Sequence, residues 1–444
     1  MYDAIVVGAR CAGSPTAMLL ARKGYRVLLV DRASFPSDTM STHLIHPPGI
    51  AHLERWGLLG RVAASNCPPC HEISMDFGAF SLSGHPPAID GVAEHYCPRR
   101  TVLDKILVDA AVEAGVQLRE GFRVEGLIQE GDRVAGVVGR TAGGARAKER
   151  ARIVVGADGM RSLVARTVGA PECDARPALT CAYYTYWSGV SVRSFEIYPR
   201  DRWIVMAFPT NDGLVCTFCE WPREEFHTVR ADIEGHFLKK LELAPGLARR
   251  LREGKREANF VGTGVLPNFL RKPYGPGWAL VGDAGHHKDP VGGLGIMDAF
   301  RDADLLADAL DAGLSGRRPL DEALGGYEQR RNAATAHEYE RNYQLARLQP
   351  PGREAAAVRG PARQAGRNGP FLRHHRAHGP EPRVLLVGEH PADHKLRLTY
   401  QRTKTGPRCA TKRTRRGRHR PPCGREGQRL LLRSRHRPAL SRHQ

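Results

Sequence analysis

The apolar positions change period several times along the chain, and each change marks an element. Residues 3–8 (DAIVVG) form an unbroken apolar, β-branched run, which predicts a buried strand. Residues 13–23 (GSPTAMLLARK) take helical spacing and Gly24 ends the helix. YRVLLVD then predicts a second buried strand closing at Asp31, so the chain opens with a β-α-β unit. The strand–turn–helix pattern returns twice, in IVVGADGMRSLVAR (153–166) and in WALVGDAGHHKDPVGGLGIMDAFRDADLLADAL (278–310). From about Arg176 to Phe260 the period drops to two. CAYYTYWSG, RSFEIYP and RWIVMAFPTNDGLVCTFCEWP read as strands, the last run folding back at Pro-Thr-Asn-Asp-Gly. A helical pattern, YEQRRNAATAHEYERNYQLARL, stops abruptly between Arg347 and Glu354.

Composition bounds the class. With 444 residues, 41% hydrophobic and 26% charged, the chain reads as a large globular protein. No apolar run reaches the roughly 18–20 residues that span a bilayer. Asp3 and the immediate glycine turn argue against a secretory signal, so the cytoplasm is the expected location.

The net charge of +20 suggests a polyanion binder until its position is considered. From Pro351 onward there are 24 Lys and Arg against 5 Asp and Glu, while the first 350 residues hold 43 against 42. The body is nearly neutral, and it lacks the basic stripe interleaved with aromatics that nucleic-acid binding uses. Stretches such as TKRTRRGRHRPPCGRE follow neither structural period. They read as a disordered basic arm, or as the out-of-frame translation of a GC-rich gene after a frameshift between Arg347 and Glu354. Ten cysteines include Cys67–Cys70 and Cys216–Cys219, pairs too far apart for a zinc ribbon. Cys216 and Cys219 lie three apart on a strand and so point to opposite faces. Scattered reduced thiols and no metal are the expectation.

The turn VVGARCAG (6–13) carries the first candidate chemistry. Backbone N–H groups and a helix N-terminus there suit a pyrophosphate. Gly8 would make the tight turn and Gly13 would allow close helix–strand packing. Arg10 stands where a middle glycine would let the backbone approach the phosphates, and can itself supply charge-assisted bonds. Asp31 can accept from the ribose hydroxyls of an adenosine.

The three strand–turn–helix blocks, in this order and spacing, resemble the FAD-dependent monooxygenases of the para-hydroxybenzoate hydroxylase type. They also resemble the related geranylgeranyl reductases and flavin-dependent halogenases. The resemblance covers about residues 1–345. It implies an α/β fold: a Rossmann-like FAD-binding domain with an inserted, mainly antiparallel β-sheet substrate lobe. The corresponding boundaries are 1–175 and 261–348 for the FAD-binding domain with its C-terminal helices, 176–260 for the lobe, and 349–444 for the basic low-complexity tail.

The implied cofactor-binding set is Gly8, Arg10, Gly13, Asp31, Arg32, Arg100, Val124, Asp158, Asp283, Gly293, Leu294 and Gly295. Within it, Arg100 (or its neighbour Arg99) would touch the flavin nucleotide, and the backbone at Val124 the adenine. Asp158 would contact FAD or simply cap a helix. Asp283 would take the ribityl or ribose side, and the Gly293–Gly295 turn would face the flavin pyrimidine ring. His286, His287 and Lys288 would either border the flavin as catalytic groups or form a surface loop. His43 and His46 could approach the ring. Tyr184, Tyr186, Trp203 and Phe208 would line the substrate wall on the inner face of the lobe sheet.

The implied activity is NAD(P)H-dependent hydroxylation of a hydrophobic or aromatic small molecule with O2, through a flavin C4a-hydroperoxide. The alternative within the family is reduction of an isoprenoid double bond. A halogenase is disfavoured because WIVMAFP lacks the second tryptophan of a W-x-W-x-I-P segment. An alternative of another class is a nucleic-acid-binding protein acting through the basic tail. Arg10, Leu294 (often Gln in the family) and Met297 (often Asn) depart from the family pattern.

Overall fold

The computed structural model describes residues 1–349 and the backbone of the strand Leu398–Arg402. The expected tail and frameshift otherwise fall outside the described residues.

Five parallel strands form the main sheet, in the order Trp278–Leu280, Arg146–Gly156, Tyr2–Val7, Val27–Val30 and Gln117–Arg119, with Tyr274–Gly275 antiparallel at one edge. The central runs Ala4–Val7, Val27–Val30 and Ile153–Val155 are continuously apolar because both faces are covered there. Ala4, Val6, Leu29, Ile153 and Val155 pack against the helices Gly13–Arg22, Arg100–Glu113 and Gly295–Leu314. Ile5, Val7, Leu28 and Val154 face the other way, onto Phe122, Val137 and Val164. The start of Arg146–Gly156 runs past this sheet and pairs with Arg133–Arg140, which pairs with Arg123–Glu130.

The lobe is a second, mainly antiparallel sheet in which Thr180–Ser188, Val215–Pro222, Trp203–Pro209 and Phe195–Arg200 are successive neighbours. It does not stop at the expected boundary. Ile73–Asp76 joins Phe195–Arg200 in parallel, followed by Phe80–Gly84 and Leu398–Arg402. ISMD and FSLSG are too short and too polar to announce strands by alternation.

Period two sorts the lobe's side chains cleanly. Tyr183, Trp203, Val205, Cys219 and Trp221 lie under the helices Ile233–Leu241 and Pro245–Glu253. Tyr184, Tyr186, Phe208, Cys216 and Phe218 occupy the opposite face with Leu44 and Val291. Cys216 and Cys219 are therefore separated by the sheet, as their spacing required. Among the described residues, no helix is long and apolar enough to cross a membrane.

Candidate cofactor and substrate site

The glycine turn is built as its spacing implies. Gly8 adopts φ +104°, and a Cβ on Gly13 would lie 1.7 Å from the Gly8 carbonyl oxygen, so helix and strand meet at a distance only glycine permits. Asp31 ties the turn to the second strand: Oδ2 accepts from the Ala9 N–H at 2.7 Å and Oδ1 from the Ala33 N–H at 2.8 Å. Arg32 beside it is exposed. Val124 follows Phe122, whose N–H donates to the Asp31 carbonyl. No side chain caps the helix that begins at Gly13; the Ser14 N–H donates to the Arg10 carbonyl at 3.0 Å and residue 15 is a proline, so what the helix offers an anion is chiefly the positive end of its dipole.

Arg10 is engaged within the protein. Nη1 lies 2.6 Å from Asp104 Oδ2, Nη2 donates to Ser37 Oγ at 2.9 Å, and the guanidinium covers the Phe35 ring. Asp104, fully buried, also holds Arg100 through Nε at 3.0 Å and Nη2 at 2.8 Å, and accepts from the Cys11 thiol. Two guanidiniums thus share one carboxylate, leaving net positive charge beside the turn. Burial opposes the charge on Arg100, but Asp104 overrides it and raises its pKa, with Asp283 contributing from across the site. Burial pushes the Cys11 thiol up. Arg99 points elsewhere, pairing with Asp212 and lying over Tyr186; of the two arginines, Arg100 is the one at the turn. Asp104 was legible only as the (i, i+4) partner of Arg100.

Asp283 lies in the short turn Gly282–Ala284, and its carboxylate has no hydrogen-bond partner among the described residues. Gly293 takes φ +63° and leads through buried Leu294 to Gly295, the first residue of a 20-residue helix without a side-chain cap. A Cβ on Gly295 would meet nothing within 4 Å, whereas one on Gly293 would lie 2.8 Å from Leu44 Cδ2. Open space, free backbone donors and an unpartnered carboxylate thus adjoin.

Asp158 and the segment His286–Lys288 are each held by partners within the protein. Asp158 caps a helix: its carboxylate accepts from Ser162 Oγ at 2.5 Å and from the Leu163 and Val164 N–H groups. It lies four residues before the N-cap Ser162, whose own hydroxyl accepts from the Ala165 N–H at 2.9 Å, and its carboxylate reaches over the intervening turn to the helix's first N–H groups. His286, His287 and Lys288 form no surface loop. His286–His287 is a buried strand paired with Phe269–Leu270, and all three side chains have structural partners. His286 Nε2 meets Thr335 Oγ1 at 3.2 Å, His287 Nδ1 meets the Pro267 carbonyl, and Lys288 Nζ lies 2.7 Å from Asp298 Oδ2. Burial raises the Asp298 pKa, but Lys288 and Arg301 outweigh it and hold the carboxyl below its usual range.

Tyr184, Tyr186 and Phe208 come together on the inner face of the lobe, but Trp203 does not. It sits five residues from Phe208 on one strand, so alternation sends it to the helix-covered face. In its place stands His43, whose Nε2 is 2.7 Å from Tyr186 Oη and whose ring meets Tyr184 edge-on at 5.4 Å. His43 Nδ1 is buried without a partner among the described residues. Burial, reinforced by Arg100, pulls its pKa down to about 3. His46 bonds the Gly292 carbonyl through Nε2 at 3.0 Å; burial lowers it to about 4. His95, with both ring nitrogens unpartnered among the described residues, lies against His46 at 5.2 Å. No periodicity singled out His95.

Residues 1–236 match the family described as the FAD binding domain. The chain belongs to that family. This FAD-dependent oxidoreductase is 28% identical over 321 residues to a digeranylgeranylglycerophospholipid reductase of Methanocella arvoryzae, covering 70% of this chain and 79% of the relative. It is 30% identical over 340 residues to a kynurenine 3-monooxygenase of Salinispora arenicola, covering 69% and 72%. Its fold matches that of a myxobacterial chondrochloren halogenase with a TM-score of 0.70 at 23% identity, covering 80% of this chain and 88% of that one. By their names these relatives are a reductase, a monooxygenase and a halogenase, so the reaction is what divides them.

Proposed function

We propose that this oxidoreductase is a monooxygenase that uses NAD(P)H and O2 to hydroxylate a hydrophobic or aromatic small molecule. The observation that carries the reading is the aromatic wall of Tyr184, Tyr186 and Phe208 around His43, joined to the Gly293 loop through Leu44. Such a wall favours a flat apolar substrate at that loop.

FAD fits the residues present. Asp31 would hold the adenosine ribose, and the uncapped Gly13 helix, with Arg100 beside it, the pyrophosphate. Asp283 would take the ribityl chain, and the backbone donors from Leu294 to Ile296 the pyrimidine end. When bound, FAD supplies hydride acceptance from NAD(P)H and activation of O2. The protein contributes orientation and exclusion of water by the buried wall. His43 remains neutral, so it keeps one proton on one ring nitrogen while Nε2 engages Tyr186.

A second reading, hydride transfer to an isoprenoid double bond, is favoured by the similarity to the archaeal reductase. The deciding experiment reconstitutes the purified full chain with FAD and follows NAD(P)H oxidation together with O2 consumption. Phenolic or polyketide substrates should stimulate both and yield hydroxylated product. Stimulation by isoprenoid lipids without O2 uptake would replace the first reading by the second, and a chain that cannot be reconstituted with FAD would end both.

A further inference from the structure

A pair of buried acids joins the lobe to the loop that precedes the long helix, and none of the roles above uses it. Glu220 lies on the strand Val215–Pro222, opposite Ala182, while Thr180 lies opposite Pro222. Residues directly opposite share a sheet face, so Glu220 projects from the same face as Thr180, one strand away. Thr180 Oγ1 donates to Asp289 Oδ2 at 2.6 Å, which brings Asp289 onto that face. Both residues are buried, and neither oxygen of Glu220 has a hydrogen-bond partner among the described residues.

The surrounding groups offer Glu220 no cation. On the loop side, Lys288 is taken by Asp298, and His287, which acts on Asp289, is bonded to the Pro267 carbonyl. The neighbouring elements contribute the neutral amides of Asn268, which accepts from the Asp289 N–H, and Asn342, which donates to the Asp289 carbonyl. From the lobe strands, the thiols Cys181 and Cys219 interact with Glu220. Among the described residues Glu220 has no cation acting on it and Asp289 has only His287, and two adjoining buried carboxyls so placed retain a proton between them. Burial, with Asp289 adding to it, raises Glu220 well above the usual carboxylate range; burial lifts Asp289 to about 6 against the bonds from Thr180 and the Val291 N–H.

Asp289 also shapes the loop. Its Oδ1 accepts from the Val291 N–H at 3.1 Å, capping the turn Pro290–Gly292 that runs into Gly293 and Gly295. We propose that Glu220 and Asp289 share one proton across this seam, and that Glu220, acting through Asp289, is a positioning residue for the backbone donors that face FAD. The second half rests on the flavin reading above; the first does not.

The experiment compares the full-length wild-type chain with Glu220→Gln, a neutral isostere that keeps the shape of the protonated acid. The thermal midpoint of the apoprotein and the FAD dissociation constant, from flavin fluorescence quenching, are followed between pH 6 and 9. A protonated-carboxyl infrared band is recorded in parallel. Because Glu220 binds its proton more tightly when folded, the wild type should lose stability as pH rises through its folded pKa. Its midpoint should fall by about 2 °C or more relative to the variant, with the infrared band absent from Glu220→Gln, and its FAD affinity should weaken about threefold or more while the variant stays flat. Equal pH slopes of the midpoint, or no band assignable to Glu220, overturn the shared proton. A midpoint difference with pH-independent FAD affinity in both proteins overturns the positioning role alone. A wild-type chain that never binds FAD overturns the flavin reading and with it the positioning role, while the midpoints and the infrared band still decide the shared proton.

Discussion

Arg10 Nη1 lies 2.6 Å from Asp104 Oδ2, so the arginine that replaces a turn glycine is tied to the helix Arg100–Glu113 and to Ser37. Arg10→Gly should therefore leave FAD affinity within about threefold of wild type, at a stability cost of about 1–2 kcal/mol from the lost charge-assisted bonds. Asp104→Leu should be far worse, because it strands two guanidiniums without their carboxylate, costing about 3–5 kcal/mol. Denaturant unfolding and flavin titration of both variants check this. A hundredfold loss of FAD affinity in Arg10→Gly would show that the guanidinium leaves Asp104 to hold the cofactor.

Asp283 differs from Asp31 and Asp158 in having no internal hydrogen-bond partner. Asp283→Asn should barely move the melting midpoint of the apoprotein. It should weaken FAD binding by about ten- to a hundredfold, the worth of a hydrogen bond to a charged group. An apoprotein destabilised as strongly as the flavin affinity falls would instead assign Asp283 a structural role through Arg100.

The buried histidines set the acid side of the stability profile. His43 and His46 titrate at about 3 and 4 in the folded protein, with burial the main cause in both, against an ordinary 6.5. Below pH 6.5 the unfolded imidazoles take up protons that the folded ones refuse. Stability is thus fully present above that value and is lost as pH falls, by up to about 2 kcal/mol per histidine at pH 5. Asp289 works in the opposite sense around pH 6, so the comparison must be by difference. His43→Gln and His46→Gln should each flatten the slope of unfolding free energy between pH 7 and 5. Slopes unchanged from wild type would mean that these imidazoles charge within the fold.

The residues that were legible in advance are those whose role is set by backbone geometry close in sequence. Gly8, Gly13 and Asp31 declare a strand–turn–helix unit because spacing and residue type alone decide it. Arg100 and Arg99 could not be separated until helix phase buried one and turned the other toward Asp212. Asp104, His95 and Glu220 were missed for a different reason. Each has a partner on a distant element that the sequence does not show, Arg10 for Asp104 beyond its (i, i+4) pairing with Arg100, and a lone polar residue carries no period. The strands 73–76 and 80–84 escaped because strands of four or five residues hold too few alternations to count.

Trp203 is the instructive failure, since the rule that excludes it was available in its own strand. Trp203 and Phe208 are an odd number of residues apart, so only one can face Tyr184 and Tyr186. Phe208 and Phe195 stack at 5.1 Å on that inner face, while Trp203 is fully buried with Phe237 and Leu247 on the other. Under the monooxygenase proposal, Phe208→Leu should raise KM for the substrate and increase NAD(P)H oxidation uncoupled from hydroxylation, with a stability loss below about 1.5 kcal/mol. Trp203→Ala should leave KM unchanged but cost about 3–5 kcal/mol, the toll of emptying a large buried site. Product formation against NAD(P)H consumed, measured beside urea unfolding, separates the two. A KM effect in a Trp203→Phe variant of near-native stability would put Trp203 back on the substrate wall.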